Sequence, residues 1–231
     1  MSKVTNINDA ISTMKDGQTI MVGGFGVPGT PFTLVEALLQ QGTKHLTLIK
    51  NEANEPHLGV SKLIEAGRVD RLITSHLGLN TTVLAMMNEK KIRVEFNPQG
   101  ILVERIRCGG AGLIGFISDI GIDTVLSQNK QVITLNGQKG IVEPALRADV
   151  ALIHAAVGDG LGNLVYEKSA RNFNPAMATA ADVVIAEVES VVNTGSLDPD
   201  AIHTPGAFVD RIVEIEELQD AYGILEHHVL G

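Results

Sequence analysis

Four short apolar runs begin at Ile20, Leu46, Leu72 and Ile92, spaced by 26, 26 and 20 residues. A strand, a short helix and their turns fill such an interval. Alternation at this spacing commits a chain to a parallel sheet with right-handed crossovers. Thr19-Ile20-Met21-Val22, Leu46-Thr47-Leu48-Ile49, Arg71 to Thr74 and Ile92 to Phe96 read as the strands. After the first, Phe32, Val35, Leu38 and Leu39 make one apolar helical face; Thr30 is the expected cap, Pro31 the first helical position and Gly42 the stop. A second helix ends near Gly67, a third runs from about Thr81 to Asn88, and Leu102 to Arg107 is a further amphipathic stretch. Ahead of the first strand, Ile7, Ala10, Ile11 and Met14 define a helix capped by Asn6 and stopped at Asp16-Gly17.

The second half is less regular. Val132 to Leu135, Asn136-Gly137 and Ile141-Val142 predict a β-hairpin, because Asn-Gly tolerates the positive φ of a tight turn. Asp149 to Ala155 and Asp182 to Val188 read as core strands, and Arg211 to Ile215 as the last strand. Aromatics are 3% of the chain, Trp is absent and Gly numbers 24, so Ile, Val, Leu and Ala must build the core, as suits a buried parallel sheet. The expectation is one compact α/β domain over residues 1–231, with a mostly parallel sheet flanked by helices and a hairpin with mixed strands in the second half.

A formal charge of −9 argues against a general nucleic-acid binder, which needs a basic face to displace counterions. The single Cys108 forbids an intrachain disulfide and points to a reducing compartment. Met1 to Ala10 is polar, unlike a signal peptide, and no apolar run approaches the roughly 18 residues of a membrane span. A cytoplasmic protein is expected.

The loop Gly23-Gly24-Phe25-Gly26-Val27-Pro28-Gly29 lies between a buried strand and a helix start. Glycines let backbone approach a ligand, and a helix N-terminus offers N–H groups to an anion. Gly24 to Gly29 spells G-x-G-x-x-G, the basis of an alternative reading as an NAD-dependent oxidoreductase. Against it, Pro28 removes an amide, and the next strand ends in Lys50-Asn51-Glu52 without an acid at its tip to hold a ribose. A plain turn without a ligand is the third reading.

A longer pattern surrounds the loop: Asp16-Gly17, then Ile20-Met21-Val22-Gly23-Gly24-Phe25, then Gly29-Thr30-Pro31. It resembles the N-terminal motif of family I coenzyme A transferases. The resemblance continues through Asn97-Pro98-Gln99-Gly100, Arg107-Cys108-Gly109-Gly110-Ala111-Gly112, Leu146-Arg147-Ala148-Asp149, Gly162-Asn163-Leu164, Ala170-Arg171-Asn172-Phe173-Asn174-Pro175 and His203-Thr204-Pro205-Gly206. It covers about Asn8 to Val213 and looks like the A (alpha) half of two-subunit 3-oxoacid, acetoacetate or acetate/butyrate transferases.

The resemblance implies half of an enzyme that works with a B (beta) partner, as an A2B2 heterotetramer. Coenzyme A and acyl-CoA would be substrates, with no permanently bound cofactor. In that family a glutamate attacks the acyl-CoA thioester, CoA thiolate converts the resulting anhydride to a glutamyl–CoA thioester, and an acceptor carboxylate completes the exchange. The family carries this glutamate on the beta partner in a Ser-Glu-Asn-Gly type motif, which this sequence lacks. Glu52, Glu55, Glu104, Glu143 and Glu167 therefore read as solvated or structural acids. The resemblance places coenzyme A at Gly23, Gly24, Phe25, Gly26, Val27, Pro28 and Gly29. It also places Gln99 and Asn51 in the site, as amides that support the developing oxyanion or shape the pocket. Turn residues that bond their own backbone are the plainer reading of both.

Cys108 reads as an inert buried thiol, and Gly109 to Gly112 as a cluster that permits close packing or a hinge rather than one that binds phosphate. The histidines form no i,i+4 ligand pair, His227-His228 fall in an expected frayed tail, and no metal is expected. Related α/β sensors of sugar phosphates carry a DNA-binding helix-turn-helix, for which the early first strand leaves no expected room.

Overall fold

A computed structural model describes residues 2–218, so His227-His228 lie outside the described residues. Helix α1 (Ile7–Ile11) leads into strand β1 (Thr19–Val22), and Asn6 caps α1 by accepting from the Asp9 amide at 2.9 Å. Three strand–helix units follow: α2 (Phe32–Gln41), β2 (Leu46–Ile49), α3 (Val60–Glu65), β3 (Val69–Thr74), α4 (Thr81–Asn88) and β4 (Arg93–Phe96). Helix α5 (Gln99–Gly110) then leads to β5 (Gly115–Ser118), β6 (Val132–Leu135) and β7 (Gln138–Pro144). The chain returns through β8 (Ala148–Asp159), β9 (Leu164–Val165), α6 (Asn174–Thr179), β10 (Ala181–Val192) and β11 (Arg211–Glu214).

Seven strands form one parallel path in the order β11-β10-β8-β1-β2-β3-β4, with β9 antiparallel on β8. A two-residue side-chain period divides the core between the faces. Ile20 and Val22 point with Leu34, Leu38, Leu63 and Val83 toward α1–α4. Met21 points with Leu102, Ile106 and Met177 toward α5 and α6. The chain winds outward from β1 to β4, then restarts on the other side of β1 at β8. The switch point of this doubly wound sheet thus lies between β1 and β8, where such folds hold ligands beyond the strands' carboxyl ends.

The hairpin forms with Asn136 and Gly137 at φ 52° and 80°, but it belongs to a separate three-stranded sheet, β5-β7-β6. Strand β5 has no sequence signal, being four residues long and beginning with Gly115. Helix α5 is longer than Leu102 to Arg107, and Gly109 and Gly110 are inside it. Helical glycine costs about 1 kcal/mol relative to alanine. Here a Cβ on Gly109 would lie 2.0 Å from the Leu146 carbonyl and one on Gly110 2.1 Å from Thr179 Oγ1, so close packing requires both.

The start of α2 also differs from expectation. Pro31 is the cap position and Phe32 the first helical residue. The Thr30 hydroxyl instead donates to the Gly26 carbonyl at 2.7 Å. The capping acceptor comes from across the sheet: Glu187 Oε2, on β10, accepts from the Leu34 amide at 2.9 Å.

Candidate active site

The loop Gly23–Gly29 sits at the switch point, joined to β8 by the Gly23 amide donating to the Leu152 carbonyl at 2.9 Å. Four of its carbonyls are taken by side chains from outside the loop. Lys50 Nζ donates to Gly23 O (3.2 Å), Asn54 Nδ2 to Gly26 O (2.9 Å), Asn172 Nδ2 to Pro28 O (2.9 Å) and Asn174 Nδ2 to Gly29 O (3.0 Å). The amides of Phe25 and Thr30 close turns onto Pro28 and Val27 carbonyls. Gly24, Gly26, Val27 and Gly29 keep N–H groups with no acceptor among the described residues. The loop is thus held in place through the carbonyls of Gly23, Gly26, Val27, Pro28 and Gly29. Phe25 stands out of it, 47% exposed.

Two glycines are dictated by this packing. A Cβ on Gly23 would lie 1.7 Å from Asn174 Oδ1, and Gly24, at φ 99°, would place one 2.2 Å from Thr30 Oγ1. Gly23→Ala is expected to destabilise the chain by about 2 kcal/mol or more, because Asn174 cannot move without releasing Gly29. Urea unfolding measures this; an unchanged midpoint would mean the loop is loosely held.

Asn172 and Asn174 are the residues that sequence reasoning missed. Both lie in the Ala170 to Pro175 motif, yet nothing local connects them to a loop some 145 residues away. Gly162-Asn163-Leu164 and His203-Thr204-Pro205-Gly206 turn out to brace each other. Asn163 Oδ1 accepts from the Gly206 amide at 2.8 Å, and a Cβ on Gly206 would lie 2.3 Å from Leu161 O.

Asn51 and Gln99, at the carboxyl ends of β2 and β4, are brought together: Gln99 Nε2 donates to Asn51 Oδ1 at 3.0 Å. Asn51 is fully buried and Gln99 exposed. Asn51 Oδ1 also accepts from Ser75 Oγ at 2.9 Å, and its Nδ2 donates to Glu52 Oε2 at 2.6 Å. Glu52 in turn pairs with the buried Lys50 ammonium at 2.9 Å.

The other acids are accounted for. Glu143, 1% exposed, pairs with Lys130 at 2.7 Å, and Glu104 pairs on the surface with Arg107. Glu55 is half-buried and Glu167 exposed. Cys108 is a free, fully buried thiol. Among the described residues no group of His, Cys, Asp or Glu is placed to hold a metal, and no helix is long and apolar enough to cross a membrane.

Behind the loop, His154 on β8 is held between two carboxylates, Nδ1 to Glu187 Oε1 at 3.0 Å and Nε2 to Glu189 Oε1 at 3.2 Å. Burial works against its charge, but the two carboxylates outweigh burial and raise its pKa above 6.5. Because Glu187 also caps α2, a carboxylate already stands where a dinucleotide fold would seat a pyrophosphate. The oxidoreductase reading therefore gains no support.

The fold is a doubly wound α/β sheet with a glycine-rich loop at its switch point and a pair of linked amides at the carboxyl ends of β2 and β4. Comparison with known proteins gives the family. The family model described as coenzyme A transferase matches residues 4–215, and the chain belongs to that family. It is 48% identical over 216 residues to the alpha chain of the acetate CoA-transferase of Escherichia coli (strain K12), covering 94% of this chain and 98% of that protein. It is 40% identical to the A component of the succinyl-CoA:3-ketoacid coenzyme A transferase of Helicobacter pylori (strain J99), with 95% of each covered. Among solved structures, an acyl-CoA transferase from E. coli O157:H7, determined as a thioester complex with CoA, superposes with a TM-score of 0.83 at 23% identity. That match covers 94% of this chain and 48% of the other, so this chain spans about half the length of that one. At this identity the likeness is one of fold.

Proposed function

We propose that this chain is the alpha (A) half of a two-subunit CoA-transferase, acting as one domain over its length. In this reading it moves coenzyme A between an acyl-CoA and a short-chain carboxylate or 3-oxoacid. The observation that carries the reading is the arrangement at the switch point: a loop, Gly23 to Gly29, in which the Gly24, Gly26, Val27 and Gly29 amides have no acceptor among the described residues, on the same sheet edge as the Asn51–Gln99 pair. The amides suit the pantetheine oxygens of coenzyme A as substrate. The beta (B) partner, in an A2B2 assembly, brings the glutamate on which the CoA thioester forms. Gln99 keeps an N–H beyond its bond to Asn51 and donates it to the oxyanion that develops at each acyl transfer, while Asn51, fully buried, holds Gln99 in place. The lone buried Cys108 fits a cytoplasmic setting.

Gln99→Ala in the two-subunit complex tests the role. It is expected to lower kcat about 10²-fold, the usual cost of one lost oxyanion donor. Trapping the CoA thioester on the partner's glutamate checks that the nucleophile is intact. Unchanged kinetics would return Gln99 to the turn.

A further inference from the structure

A side-chain amide has a donor end and an acceptor end of nearly equal size, so a donor at Gln99 is useful only if something chooses which end is anchored. The contacts show what chooses. Gln99 Nε2 donates to Asn51 Oδ1 (3.0 Å), Asn51 Nδ2 donates to Glu52 Oε2 (2.6 Å), and Glu52 Oε1 lies 2.9 Å from Lys50 Nζ as an ion pair that lacks hydrogen-bond alignment. Each link has one sense. An ammonium only donates and a carboxylate only accepts, so Asn51 must turn its nitrogen to Glu52 and its oxygen to Gln99 and Ser75. Lys50 is 0% and Glu52 3% exposed, so bulk water cannot substitute for either. The hydrogen bonds of Lys50 Nζ go to Gly23 O (3.2 Å) and Thr30 Oγ1 (3.1 Å), which joins the glycine loop to the same ion pair.

We infer that Lys50 and Glu52 are positioning residues: the pair sets the amide sense of Asn51 and, through it, where the outward N–H of Gln99 lies. The inference rests on the role given to Gln99 above. Stability alone does not ask for such a pair, because a buried ion pair is often matched by apolar residues of similar volume. A glutamine at position 52 would have to give its oxygen to Lys50 and therefore its NH2 to Asn51. Asn51 would then turn over, and Gln99 after it. The donor nitrogen would move by more than about 1 Å, and a misplacement of that size can cost 10²-fold.

The test uses the two-subunit complex. Glu52→Gln is expected to lower kcat about tenfold or more and to leave KM for acyl-CoA within about twofold. Lys50→Met added to Glu52→Gln removes the demand on the glutamine's oxygen, frees it for Asn51 and regains most of the lost turnover. A pair that only stabilised the fold would give no such rescue. In a Gln99→Ala background Glu52→Gln should have little further effect; an additive loss would place Glu52's action elsewhere and overturn the inference. If Gln99→Ala is slow but Glu52→Gln is not, the positioning role alone fails. If Gln99→Ala is unaffected, the reading of the site fails. Should Glu52→Gln not fold, the double variant, free of buried charge, carries the comparison. Turnover well above that of Gln99→Ala then supports the pair's role, and turnover equally low overturns it.

Discussion

Purified without its partner, this chain is expected to transfer no coenzyme A, whatever acyl-CoA and carboxylate are offered. Covalent transfer needs a carboxylate that can reach the thioester carbonyl beside the oxyanion donors. Several of the chain's acids are already committed to partners. Glu52 is buried against Lys50, and Glu187 is wholly buried between His154 and the start of α2. Glu143 is tied to Lys130 and Glu104 to Arg107. Addition of the beta partner should raise the rate about 10⁶-fold, the low end of enzymatic acceleration. Chromatographic assay of acyl-CoA exchange reads the difference. Robust turnover by the isolated chain, or a CoA adduct trapped on one of its own glutamates, would overturn the expectation.

Glu187→Ala is expected to cost about 3–5 kcal/mol of stability, the usual loss when one partner of a buried pair is removed. The carboxylate serves two elements at once: it faces His154 Nδ1 with one oxygen and accepts from the Leu34 amide with the other. Its loss leaves His154 on β8 without that partner and α2 without its cap, so the cost should fall on both sides of the switch point. The pair also predicts a pH dependence. Burial opposes the charge on His154, but Glu187 and Glu189 outweigh it, so folding raises the pKa above 6.5. The unfolded chain titrates at about 6.5. The stabilisation is therefore complete below that pH and is lost as pH rises through the folded value. His154→Gln should flatten this part of the profile. Urea unfolding from about pH 6 to about pH 9 measures both. Parallel profiles for the two proteins would show that His154 does not change charge with folding.

Much of the fold was legible because its signals are local. The runs starting at Ile20, Leu46, Leu72 and Ile92 became β1 to β4, and Asn136-Gly137 made the hairpin. The motifs around Gly23 and Gln99 were visible for the same reason, since their glycines and turn residues are contiguous. What stayed hidden depends on distance. Helix α5 runs on through Gly109 and Gly110 because Leu146 and Thr179 press against it, and β5 exists because β7 returns to pair with it.

The sequence by itself determined the parallel α/β layering, the position of the glycine loop and the family to which the chain belongs, because residue period and motif spacing are properties of short segments. Tertiary structure alone decided that Glu187 caps α2 from 153 residues away, that Asn174 closes over Gly23, and that Gln99 meets Asn51 beside the Lys50–Glu52 pair. Hydrogen bonds and ion pairs act over about 3 Å of space without regard to separation along the chain, so no local pattern records them.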